Sequence, residues 1–447
     1  MRIPVLAILP AQEPLVESAI AAADRRASQI PLDATTMPPG LTLDPTFPAV
    51  PVGKGVTAGA TLETLAPAQS QNFAVRGFID AEDPGEIPTE SGGRPLFADP
   101  VIAPFLTCGG TPPVGKAADV ATKLNVPTLA ARGLDGDGVA VAIMDTGINL
   151  AHLQRKLGAF PRFDAGNSWT PAGATSGPGK HPVDHGTMCA YDVLIAAPKA
   201  TLLDYPILAT TAPGGSVTGS TLSVALQAFA QLIAFWAVAF APGGALRYKA
   251  LVVNNSWGIF HPSWDFPPGH PGRYIDNPNH PFSLIVGVLA RAGADILFAA
   301  GNCGGECADG RCQARTTETI MGANASPDVL TLAGCDVTDT RVGYSSQGPS
   351  IAGMFQQKPD VTAYTHFLGS EAFGQGAPDS GTSAACPVAA GCVAALRTRL
   401  SSQAMPPRNL FAQITTTARQ VQGGPGWNRN YGHGIIDPDA AGQSAGV

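Results

Sequence analysis

Three short stretches of the chain hold residues able to carry out acyl transfer. Ser383 lies in Gly381-Thr382-Ser383-Ala384-Ala385-Cys386-Pro387, where a loop of small residues runs into the apolar segment Val388 to Leu396. A serine at a helix start is held rigidly, and free backbone N–H groups beside it can stabilise negative charge on an attacked carbonyl oxygen. Serine alone is a weak nucleophile, so a base must lie near it in space. Upstream, Asp184-His185-Gly186-Thr187-Met188-Cys189-Ala190 offers an imidazole, and Asp145-Thr146-Gly147 offers a carboxylate to orient it. In that chemistry Ser383 attacks a carbonyl, His185 carries the proton to the leaving group, and Asp145 fixes the imidazole tautomer. Taken singly, each residue has a plainer reading, since Asp after a strand or Ser at a helix start usually serves as a cap.

The elements around them fit the task. Val139 to Met144 is an apolar run with the length of a buried parallel strand, and it delivers Asp145 to the C-terminal edge, where sites of open α/β sheets gather. A Gly/Pro-rich loop precedes His185, which then opens a helix. Alternation of helix and strand continues to Asn302, which predicts a doubly wound parallel sheet with helices on both faces. The run Leu222 to Ala241 is nearly long enough to span a bilayer, but Gln227 and Gln231 interrupt it, and it reads as a central buried helix.

The order Asp, His, Ser and the motifs that carry it resemble the subtilisin-like serine peptidases, the subtilases, over roughly residues 117 to 442. Val253-Asn254-Asn255-Ser256-Trp257-Gly258 resembles the strand that pairs with substrate backbone, and Ala299-Ala300-Gly301-Asn302 resembles the segment of the oxyanion asparagine. Lys358-Pro359-Asp360-Val361 and Gly432-His433-Gly434-Ile435-Ile436-Asp437 are similar to further family stretches, in the expected order. The resemblance implies a serine endopeptidase acting through an acyl-enzyme, with Asp145, His185 and Ser383 as triad and Asn302 in the oxyanion hole. It also implies that Ser256, Trp257 and Gly258 bind an extended peptide or protein substrate through its backbone. Asp360 and Asp184 are left out of the triad. Met188 and Tyr191 depart from the family pattern on the histidine helix, and they motivate a rival reading as a non-catalytic peptide-binding protein. Cys189 reads as a buried thiol similar to one in the proteinase K branch. With His185 as base, an unperturbed imidazole puts the loss of activity at about pH 6 to 7.

Residues 1–112 differ in texture from the catalytic stretch 113–447. Pro-rich pieces such as Met37-Pro38-Pro39-Gly40 and Phe47-Pro48-Ala49-Val50-Pro51-Val52 alternate with candidate strands at Asn72 to Asp80 and Arg94 to Phe97. This smaller α+β or partly irregular region is either an accessory domain or, by the resemblance, a self-cleaved propeptide that acts as chaperone and inhibitor.

In the 447 residues, Gly (52) and Pro (41) make many turns, while only 14% of residues are charged and 45% are hydrophobic, enough for a large core. The net charge of -7 has no basic stripe, which argues against nucleic acid as a partner. No cofactor is expected, and structural calcium cannot be assigned to any ligand set, because Asp135-Gly136-Asp137-Gly138 lacks the remaining spacing of a calcium hand and reads as a turn. His261, His270 and His280 have no shared face for a metal. Cys303, Cys307 and Cys312, with Cys335 as a fourth candidate, suggest a disulfide clamp on the Asn302 loop, ahead of free thiols and of zinc, whose usual Cys-x2-Cys knuckle is missing, whereas Cys386 and Cys392 read as small core residues. Disulfides suit an exported protein, whereas the N-terminal run Ile3 to Leu9 does not read as a secretory signal and points to the cytoplasm or to non-classical export, so localisation is left open. Oligomeric state is left open.

Overall fold

The computed structural model describes residues 2–10, 40–44, 47–53, 72–104, 111–209, 220–240, 248–421 and 424–447. Strands β1 (Arg2–Pro10), β2 (Leu41–Leu43), β3 (Val50–Gly53), β4 (Asn72–Asp80), β5 (Glu90–Ser91) and β6 (Arg94–Ala98) form an antiparallel sheet in the order β2-β4-β1-β6-β5, with β3 also on β4. The Pro-rich stretch at 47–52 therefore ends in a strand; Met37 to Pro39 lies outside the described residues.

The second sheet is wholly parallel. It contains β8 (Val139–Met144), β9 (Thr201–Tyr205), β10 (Ala250–Asn255), β12 (Asp295–Ala299), β13 (Leu330–Cys335) and β14 (Val361–Tyr364), in the order β14-β13-β12-β10-β8-β9. β7 (Ala103–Pro104) and β11 (Trp257–Gly258) form a separate antiparallel pair. The chain winds outward from β8 to β9 and then returns to β10 on the other flank, so the order reverses between β8 and β10. Asp145 and Ser256 follow the ends of those two strands.

Both faces of this sheet are covered, which is why its strands are buried and mostly apolar, with Asp204, Asn254, Asn255 and Asp295 among the buried polar exceptions. Along β8, Val139, Val141 and Ile143 pack into one layer with α4 (His185–Ala196) and α7 (Thr382–Arg397). Ala140, Ala142 and Met144 pack into the other with α5 (Leu222–Ala239) and α6 (Pro281–Ala292). This period of two is what a strand buried on both sides requires. The remaining helices are α1 (Ala117–Lys123), α2 (Val126–Ala131), α3 (Leu150–Leu157), α8 (Pro407–Thr417) and α9 (Pro438–Ser444). Among the described residues α5 alone has the length and hydropathy of a membrane span, yet most of it is core, with Leu226, Phe229 and Leu232 fully buried and Val238 exposed.

Every residue of α7 is buried. Its last residue, Arg397, forms a bidentate ion pair with Asp295 at the start of β12 (Nε to Oδ2 and Nη2 to Oδ1, each 2.6 Å), and Nη1 donates to the carbonyls of Leu400 and Met405. Burial pushes the Asp295 carboxyl up, and the Arg397 charge opposes the shift. Such a pair costs most when one partner is lost and the other stays buried.

The antiparallel sheet rests on the same framework. Leu6, Ile8, Ala74 and Phe97 join the layer of α5 and α6, while Val5, Ala7, Leu9 and Phe73 pack on the sheet's other face with Phe266. Asp99, just past β6, accepts from Ser223 N and Ser223 Oγ at the start of α5 and pairs with Arg76 of β4 at 2.9 Å. Gly272 is needed for close approach, because a Cβ there would lie 2.0 Å from the Leu96 carbonyl oxygen. Replacing Arg397 with Ala should lower unfolding free energy by about 3–5 kcal/mol, read by urea denaturation.

Candidate active site

The three residues singled out from the sequence come together at the C-terminal edge of the parallel sheet. Asp145 is fully buried after β8, with its N–H donating to the Tyr205 carbonyl and its Oδ1 accepting from Thr146 N. His185 is the first residue of α4, and Asp184 caps that helix by accepting from His185 N at 2.8 Å. The cap occupies Asp184, and the imidazole turns to Asp145: His185 Nδ1 lies 2.8 Å from Oδ1 and 2.9 Å from Oδ2. A carboxylate on Nδ1 places the proton there and leaves Nε2 as the basic nitrogen. Nε2 is buried and has no hydrogen-bond partner. The close fit of α4 needs Gly186, where a Cβ would lie 2.6 Å from the Gly147 carbonyl oxygen.

Burial alone would lower the His185 pKa, but the charge and hydrogen bond of Asp145, helped by Asp184, outweigh it and carry the imidazole above its ordinary value of 6.5. The site therefore corrects the expectation of an unperturbed base: the neutral form is lost at higher pH than a free imidazole would lose it.

Ser383 is the second residue of α7, and Pro387 four residues on has no N–H to give its carbonyl. Two side chains meet that carbonyl instead. Ser256 Oγ donates to it at 3.0 Å, and Cys189 Sγ lies 3.5 Å away. Cys189 sits one helical turn after His185, with its sulfur 3.8 Å from Nδ1 and 3.6 Å from Asp145 Oδ2, so it links all three residues. Burial, then the charge of Asp145, push this thiol well up, and it stays protonated. The Ser383 hydroxyl donates to the Ser256 carbonyl at 3.1 Å. Asp145, His185 and Cys189 are the one group of three metal-capable side chains among the described residues.

Asn302 follows β12 and is fully buried. Its Oδ1 accepts from Thr382 N at 2.9 Å and Thr382 Oγ1 at 3.0 Å, which fixes Nδ2 as the donor edge of an amide tied to the residue before Ser383. The Thr382 hydroxyl also accepts from Gly301 N.

Ser256, Trp257 and Gly258 are buried, and a strand already lies against them. β7 pairs antiparallel with β11, Pro104 opposite Trp257 and Ala103 opposite Gly258. On its other side Ile102 N donates to Ser220 O and Leu222 N to Pro100 O. Thr111 and Pro112 meet the His366 ring, and Val114 N donates to the His366 carbonyl.

Two groups near the triad gave no usable signal in the sequence. Phe373, an exposed ring on the loop after β14, lies 6.4 Å from the His185 ring, and that loop is pinned by Asp379, which accepts from Ser370 N and Oγ at 2.6 Å each. Arg311 donates from Nη2 to the Pro104 carbonyl at 3.1 Å. It lies in the insert whose Cys303 and Cys312 are joined by a disulfide; Cys307 is also disulfide-bonded. Cys335 is not the fourth member: it is a free buried thiol inside β13, as Cys386 and Cys392 are in α7. The other residues set aside earlier have structural partners. Asp360 pairs with Lys358, Asp135 with Lys199 and Asp137 with Arg162, while His261 and His280 cap helices and His280 Nε2 also donates to Ala98 O.

The wholly parallel sheet agrees with a family comparison. The chain belongs to the subtilase family, whose model matches residues 136–434. Over 96 residues it is 38% identical to the Minor extracellular protease Vpr of Bacillus subtilis (strain 168), a match covering 19% of this chain and 12% of that protein. The chain thus aligns with about an eighth of that relative's length.

Replacing Ser256 with Ala removes the oxygen donor that stands in for the missing Pro387 N–H. A loss of about 1–3 kcal/mol in unfolding free energy is expected from the under-satisfied carbonyl, measured by chemical denaturation.

Proposed function

We propose that this chain is a serine endopeptidase in which Ser383 is nucleophile, His185 general base and Asp145 the group that orients it. The single observation that carries the reading is the imidazole held by both Asp145 oxygens with its opposite nitrogen buried and unpartnered, while Cys189 Sγ touches both this ring and the Ser383 carbonyl. Rotation of the serine hydroxyl from the Ser256 carbonyl toward Nε2 lets His185 take its proton as Oγ attacks. The resulting imidazolium, stabilised by Asp145, gives the proton to the leaving amine, and water then releases the acyl group by the reverse sequence. Asn302 Nδ2 and the Ser383 N–H are the donors for the oxyanion. A peptide or protein substrate lies as an extended strand on Ser256, Trp257 and Gly258, where β7 lies in the intact chain, so its backbone supplies most of the contact.

The N-terminal residues 1–112 then act as an inhibitory propeptide whose last strand fills the groove, and a cut beyond Pro104 frees the site. Disulfides at Cys303–Cys312 and Cys307 fit an oxidising compartment. The name of the Bacillus relative places that protein outside the cell, and export is proposed here too.

The test is labelling with a fluorophosphonate, together with intact mass after incubation at neutral pH. Wild type should be labelled and should lose a fragment of about a hundred residues, a small-domain size, while Ser383→Ala should do neither and should lose about 10⁴- to 10⁶-fold in kcat, the scale known for comparable triads. An unlabelled wild type would favour peptide binding without catalysis. Because the His185 pKa is raised, kcat/KM should fall as pH drops through a midpoint above 6.5; full activity at pH 4 would remove His185 from the role of base.

A further inference from the structure

We infer that Arg311 is a substrate-binding residue that holds the backbone carbonyl one residue before the attacked one, and that the disulfide-closed insert exists in this fold to present it. The inference rests on the peptidase reading above and adds a contact to it. The strand already in the groove supplies the geometry. Pro104 lies opposite Trp257, and Arg311 Nη2 donates to the Pro104 carbonyl at 3.1 Å. Continuing that antiparallel register, the next substrate residue falls opposite Ser256, whose carbonyl accepts the Ser383 hydroxyl. The carbonyl to be attacked therefore belongs to that next residue, and the one Arg311 holds belongs to the residue before it.

The guanidinium is built into place rather than left on the surface. Asp309 accepts from Nε at 3.0 Å and from Nη2 at 2.8 Å, and the group stacks 3.7 Å from the centroid of the Phe260 ring. The loop beneath it is fixed at both ends. Cys303 and Cys312 are bonded, and Asp309 N donates to the Asn302 carbonyl at 2.8 Å. Substrate carbonyl and oxyanion amide are thus served by one short covalent ring. The same positive charge lies close enough to His185 to oppose protonation of its ring.

Two activated esters separate this role from a merely structural one. N-acetyl-phenylalanine p-nitrophenyl ester carries the preceding carbonyl, whereas p-nitrophenyl 3-phenylpropanoate has the same side chain and scissile bond without it. With the full chain first incubated at neutral pH, Arg311→Gln should lower kcat/KM on the first ester by about 10- to 100-fold, the worth of one charge-assisted hydrogen bond. On the second it should change by no more than about twofold, within the scatter expected where the hydrogen bond was never made. Arg311→Lys, which keeps charge but loses the planar fork, should recover only part of the loss. Equal losses on both esters, or no loss on either, would overturn the inference. A wild-type chain inert toward both esters would instead overturn the peptidase reading itself.

Discussion

A helix with no exposed residue has to satisfy its polar ends inside the protein, and that constraint on α7 organises the molecule. At the far end Arg397 holds the turn that follows the helix, through the carbonyls of Leu400 and Met405, and locks onto Asp295, the first residue of β12. At the near end Pro387 withholds an N–H, and Ser256 and Cys189 meet the Ser383 carbonyl instead. Helix and strand are thus clamped together at one pole of the sheet, and their other ends deliver Ser383 and Asn302 side by side through Thr382. Residues that make α7 possible also set the spacing of the site. Leaving either end unanswered inside the core would cost more than most single interactions contribute.

The same economy appears on the histidine side. Asp184 is spent on the N-cap of α4, which leaves the imidazole to Asp145 alone. Asp145 in turn is fixed by the backbone on either side of it, through Tyr205 and Leu208. Position is set by main chain, and polarity by one buried carboxylate. The upward shift of the imidazole follows, since the penalty of burial is outweighed by the charge and hydrogen bond of Asp145 together with the charge of Asp184.

Much of this was legible in the sequence because the signals are local. Six apolar residues ending in Asp145, a small-residue loop entering an apolar helix at Ser383, and a Gly-rich approach to His185 each declare an element and its end. The parallel sheet followed from alternation. What the sequence could not declare depends on partners far along the chain. Arg311 is one residue of an insert whose spacing announced a disulfide and not which side chain would face the groove. Cys335 looked like a fourth member of that cluster, yet β13 carries it into the core, away from the loop. Ala103 and Pro104 have no strand signature at all; their conformation is imposed by the edges at Ser220 and Trp257.

The pairing of β7 with β11 also has a statistical meaning. A strand joined to its own groove by continuous chain is present there at an effective concentration in the millimolar range, whatever the dilution of the protein. It is anchored further by Asp99, which holds α5 and Arg76 at once. On the function proposed above, a free peptide at micromolar levels would meet a site already taken by a competitor that cannot diffuse away. For such a molecule, access is governed less by affinity than by whether one covalent connection persists.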